Sequence, residues 1–177
     1  MNAVDPLPAR TIVRAAQHEC PADAAGVACI ASLLALADQL QAGLRRRFEP
    51  RGLNDHKFAA LMVLYTFDPV PTTAADLAFH AQLTRPATSD LLDQLDSAAW
   101  ITRARDPHDR RAIFVRLTPS GRAAAAQALQ DSLRIFAQLG RAIDSSSQST
   151  VARACGHLRE RIPDVLETPD FSAPSSP

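Results

Sequence analysis

TRPATSDLLDQLDSAAWITRARDPHDRRAIFVRLT, residues 84–118, opens with a threonine before a proline-bearing turn. Thr84 predicts an N-cap, because its hydroxyl can accept one of the unpaired amide protons of a first helical turn. Pro86 falls where a missing amide proton costs nothing. Thr88, Leu91, Leu92 and Leu95 then recur at i, i+3, i+4 and i+7, the spacing of one buried helix face. That leaves Arg85, Pro86, Ser89, Asp90 and Asp93 facing outward on a helix from Arg85 to about Ser97. After Trp100, the runs ITRAR and AIFVRL favour strands, and DPHDRR between them reads as a polar turn opened by Asp106-Pro107. Between Arg103 and Arg116 five arginines stand against two aspartates, a local excess of three positive charges in a chain of zero net charge.

Just before this stretch, Thr72 or Thr73 caps a short helix over residues 74–80, and Gln82 and Leu83 make the turn between the two helices. Two short capped helices about three residues apart have helix-turn-helix spacing. Followed by a two-stranded hairpin, they make a winged helix. Further out, Asn54 caps a helix from Asp55 to about Phe67. Asp23 or Ala24 opens a longer one to about Phe48, with Val27, Ile30, Leu33, Leu34, Leu36, Leu40 and Leu44 at helical spacing. Residues 1–22 form an N-terminal arm, with a short helix over 9–18 expected to pack on a partner subunit. Thr118 and Pro119 start another long helix. A serine-rich break from Gly140 to Thr150 precedes a last helix over about 150–166, and 168–177 read as a disordered tail.

The chain has 177 residues, 46% of them hydrophobic, and 19 basic against 19 acidic side chains. No uninterrupted apolar run approaches the roughly 20 residues of a membrane span, and MNAVDPLPARTIV lacks the layout of a secretory signal. A cytoplasmic location without membrane association is therefore expected. Cys20, Cys29 and Cys155 show no metal-ligand spacing, so no metal or cofactor is expected. Neither a phosphate-cradling glycine loop nor a nucleophile elbow occurs, which argues against an enzyme.

With LAFHAQLTRPATSDLLDQLDSAAWITRARDPHDRRAIFVRLTPSG, the chain resembles the MarR family of bacterial winged helix-turn-helix transcription regulators over about residues 24–166. Its most specific part is Asp109-x-Arg111-x-x-x-Val115-x-Leu117-Thr118, followed by Gly121. The resemblance implies a fold that is mainly α with a small β-wing. A DNA-binding domain at 51–118 would be flanked by dimerisation helices at 23–50 and 119–167. It implies a homodimer on double-stranded DNA with a pseudo-palindromic operator, acting as a repressor relieved by a small, phenolic effector. Arg111 matches the wing arginine that enters the minor groove, and Asp109 the carboxylate that orients it. Arg110 and Arg103 are expected on phosphates. Thr84, Arg85 and Ser89 lie at the major-groove end of the recognition helix.

Three positions depart from the family pattern. Asp90 stands where a basic residue is frequent; it would repel phosphates, or accept from a cytosine amino group. Gln82 and Ala99 replace frequent glycines, and a left-handed backbone at either would cost about 1 kcal/mol or more. Phe48, His56, Tyr65 and Arg45–Arg47 lie on elements that border the family's effector crevice. Two alternatives stay open: a thiol-based peroxide sensor using Cys29 or Cys20, and a winged-helix interaction module without specific DNA binding.

Overall fold

The computed structural model describes residues 7–105 and 113–167. In chain order these form α1 (Leu7–Glu19), α2 (Ala24–Phe48) and a 3-10 turn (Glu49–Arg51). Then come α3 (Asp55–Phe67), β1 (Thr72–Thr73), α4 (Ala74–His80), α5 (Arg85–Ser97), β2 (Ile101–Arg105), β3 (Ile113–Leu117), α6 (Pro119–Gly140) and α7 (Ser145–Glu167). The chain divides inside α6 into two compact units, the first ending at Leu129 and the second starting at Gln130.

In the first unit the helix starts follow from side-chain caps. Asn54 Oδ1 accepts the Lys57 amide proton at 2.9 Å, Thr73 Oγ1 that of Asp76 at 3.0 Å, and Thr84 Oγ1 that of Ala87 at 3.4 Å. Each such cap is worth roughly 1 kcal/mol. The sheet has the order β1-β3-β2 and is antiparallel throughout. It has three strands where two were expected: Thr72 and Thr73 pair with Val115 and Phe114, adding an edge strand too short to leave a periodic signal. Leu61, Leu77, Leu95, Ile101 and Val115 are fully buried, so α3, α4, α5 and the sheet share one core. Each of these side chains contributes about 1.5–3 kcal/mol on burial.

One close joint fixes where α5 ends and α6 begins. The Thr118 amide donates to Trp100 O at 3.0 Å, and the Thr118 and Ser120 hydroxyls each donate to Ala99 O at 2.7 Å. Thr118 Oγ1 in turn accepts the Gly121 amide proton at 3.0 Å. A Cβ at position 121 would lie 1.9 Å from Trp100 O, so only glycine lets the two segments approach this closely.

One expectation at the N-terminus changes. α1 packs on α2 of its own chain and buries Val13 and Ala16, where the sequence pointed to a partner subunit. α2, with the turn after it, is long and apolar enough by length and composition to cross a membrane, although its apolar run is broken by Ser32, Asp38, Gln39 and Gln41. Ile30, Leu34 and Leu36 on it are exposed.

The second unit comprises the end of α6 and α7. Here α7 begins at Ser145 rather than near Thr150. Asp144 accounts for the five extra residues: its Oδ1 accepts the amide protons of Ser146 and Ser147, both at 3.0 Å. The carboxyl is held well below the usual carboxylate range, chiefly by the Ser146 hydroxyl and then by Ser147. Leu133, Phe136, Leu139, Val151, Ile162, Val165 and Leu166 are exposed.

Candidate nucleic-acid interface

The backbone at both ends of α5 is left-handed, at Gln82 (φ 54°) and Ala99 (φ 56°). These are the two positions where the sequence departs from glycine. The Thr84 carbonyl accepts the Thr88 hydroxyl at 2.8 Å, which lets a polar residue enter the core face unstrained. Thr88, Leu91, Leu92 and Leu95 are buried, while Arg85, Ser89, Asp90, Asp93 and Asp96 are exposed. The outer face is therefore polar and more acidic than basic.

β2 supplies a counter-charge. Strand residues alternate between faces, and Arg103 pairs across β3 with Val115, on the same sheet face as Ile101 and Leu117. The pleat thus turns Arg103 inward. Its side chain is 24% exposed, and Nη2 donates to Asp93 Oδ1 at 2.8 Å while Nε lies 3.5 Å from Asp96 Oδ2. Nε is buried and makes no hydrogen bond among the described residues. Arg103 was expected on a phosphate; here it bridges two carboxylates of α5. Arg105 and Arg116, by contrast, are exposed. Asp109, Arg110 and Arg111 lie outside the described residues.

A second bridge ties the end of α3 to the start of α6. Arg122 in the first turn of α6 pairs with Asp68 through both terminal nitrogens, Nη2 to Oδ1 at 2.9 Å. Neither partner was singled out from sequence, since 54 residues separate them.

Between α2 and α3 an apolar cavity of about 230 Å³ is lined by Leu44, Phe48, Leu53 and Phe58, with Gln41, Arg45, Asn54 and Asp55 at its polar edge. Phe48 and Phe58 stack at 5.3 Å. Arg45 Nη2 donates to Asp55 Oδ2 at 2.6 Å, and that hydrogen bond raises the pKa of Arg45 above its ordinary value. Of the residues expected around a crevice, Phe48 and Arg45 line this cavity; Tyr65 packs against the core and His56 is exposed. Cys29 is exposed and Cys20 half-buried, both as free thiols. No grouping of three or more metal-ligating side chains occurs among the described residues.

Residues 51–112, which include α3, α4, α5 and β2, match the sequence model of the MarR family. Over those residues the chain is similar to the MarR family. Among curated relatives, the HTH-type transcriptional repressor YetL of Bacillus subtilis is 24% identical over 140 residues, 79% of this chain and 84% of YetL. Among solved structures, a MarR family transcription regulator superposes with a TM-score of 0.70 at 21% identity, covering 87% of this chain and 99% of the other. The MepR–DNA complex of S. aureus superposes with a TM-score of 0.65 at 19% identity, covering 71% and 91%. At these identities the superpositions establish the fold: a winged helix-turn-helix in a mainly α-helical chain.

Proposed function

We propose that this chain is a homodimeric repressor of the MarR family that binds a pseudo-palindromic DNA operator and is released by a small aromatic acid. The observation that carries this reading is α5, a capped helix whose apolar face is buried in the core and whose polar face is exposed beside strands bearing Arg103, Arg105 and Arg116. A helix so presented fits a major groove, with its N-terminal residues toward the base edges. Thr84, Arg85 and Ser89 stand at that end. Asp109, Arg110 and Arg111 would reach the backbone and the minor groove from the wing.

A second copy of the chain accounts for the exposed apolar residues of α2, α6 and α7, which a lone chain would leave in water. That YetL is named a repressor supports the direction of control. The cavity between α2 and α3 supports an effector. Its 230 Å³ falls below the ~300 Å³ at which drug-sized sites begin, so it suits one ring. Its stacked phenylalanines and Arg45 suit an aromatic carboxylate or phenolate.

Binding of the protein to duplexes from its own promoter region, followed by fluorescence anisotropy at increasing salt, tests the reading. Affinity should fall steeply with salt, as phosphate contacts require. Arg111→Ala should weaken operator binding by roughly ten- to a hundredfold. A wild type with no preference over random duplex would refute the regulator reading; an unaffected Arg111→Ala would remove the wing from it.

A further inference from the structure

Five acidic or basic side chains crowd the outer side of α5 and the root of the wing, and all but two of them are accounted for. Arg103 pairs with both Asp93 and Asp96. Arg85 stands at the first helical position, where phosphate or base can be met. Asp90 is exposed and has no ion pair among the described residues. At about 100° per residue, it lies almost opposite the stripe of Thr88, Leu91, Leu92 and Leu95. It is thus one of the outermost residues of the helix and still within its N-terminal half.

A free carboxylate at that place is costly against a polyanion unless it receives a hydrogen bond. Among base edges in the major groove, a donor is offered by the N4 amino group of cytosine and the N6 amino group of adenine. Adenine sets the N7 lone pair beside its amino group, which a carboxylate would repel. Cytosine offers the donor without that neighbour. Asp93 and Asp96 add two more negative charges on the same helix, which Arg103 offsets in part. Of the three carboxylates of α5, Asp90 is thus the one without an ion pair among the described residues, and it is aimed outward.

Resting on the DNA-binding reading above, we infer that Asp90 is a specificity-determining residue that selects cytosine in each half-site. Its chemistry gives specificity at the expense of general affinity. The same geometry explains why an acidic residue stands on the face of a helix that meets phosphates.

The test is selection of bound sequences from random duplex DNA by the wild type, Asp90→Asn and Asp90→Ala, with melting curves to show that the surface variants fold alike. The wild type should enrich a two-fold site with cytosine at one symmetric position, and lose about ten- to a hundredfold in affinity when that base pair is changed. Asp90→Asn should move the preference there to adenine, whose N6 and N7 suit a carboxamide. Asp90→Ala should abolish preference at that position alone. If both variants enrich the wild-type sequence unchanged, or merely bind all duplexes more tightly, Asp90 is only a repulsive charge and the inference is overturned. If the wild type enriches no sequence, the DNA-regulator reading itself falls, an outcome distinct from an unchanged preference.

Discussion

On its inner face α5 carries Thr88, Leu91, Leu92 and Leu95, all buried; on its outer face it carries Arg85, Ser89, Asp90, Asp93 and Asp96, all exposed. The three leucines are interchangeable in kind, since any apolar group of the right volume would serve. The outer residues are not, because each charge either has a specific partner or must find one. Stability is spread over the first face by burial, while recognition on the second depends on where single charges go. The two faces should therefore respond to substitution in separable ways.

The largest effect is expected on the inner face. Leu95 is fully buried in the core shared by α3, α4, α5 and the sheet. Leu95→Ala should lower unfolding stability by about 2–5 kcal/mol, the transfer loss plus the cavity left behind. Urea titration measures this directly. The fraction that stays folded should still choose the same DNA sequence, because the outer face is unchanged. A loss of sequence preference in folded Leu95→Ala would show that the faces are not separable.

The outer face should show the reverse, and Arg103 is the residue that separates contact from positioning. A phosphate contact tolerates lysine, which binds phosphate as a point charge. A bridge between Asp93 and Asp96 does not, because one ammonium cannot reproduce the two-nitrogen reach of the guanidinium. Arg103→Lys should therefore cost at most about 1 kcal/mol of stability, since both aspartates are largely solvated. Operator affinity should fall several-fold, because the acids are less well neutralised and the wing root less well held. Should Arg103→Lys match the wild type in both melting and affinity, the bridge has no part in recognition.

The same division governs how much of the molecule the sequence discloses. The bounds of α3 and α5 and the buried set Thr88, Leu91, Leu92 and Leu95 follow from caps and periodicity, which act within a few residues. The partners of Arg103 were not legible, because they depend on which face of β2 the pleat turns toward α5. β1 escaped notice because two residues carry no alternation, and its partners Val115 and Phe114 on β3 are far away in sequence. α7 began early because serines that read as a break are recruited by Asp144. The positions of Asp109, Arg110 and Arg111 are outside the described residues, so that part of the site stands on sequence.

The smallest effect concerns the ends of the helix, where the two faces meet. Ala99 holds φ at 56°, a conformation that costs an alanine about 1–2 kcal/mol. Its carbonyl is fixed there by the hydroxyls of Thr118 and Ser120, so the backbone cannot relax without breaking the joint to α6. Ala99→Gly removes the steric cost but adds about 0.4–1 kcal/mol of unfolded-state entropy. The net gain should be roughly 0.5–1 kcal/mol, or about 1–4 °C in melting temperature for a chain of this size. No contact to DNA changes, so affinity and sequence preference should stay at wild-type values. A melting temperature that falls instead would mean that Cβ packing at Ala99 outweighs its strain. An altered operator preference would mean that the left-handed turn sets the pitch of α5 in the groove, coupling the two faces through their shared end.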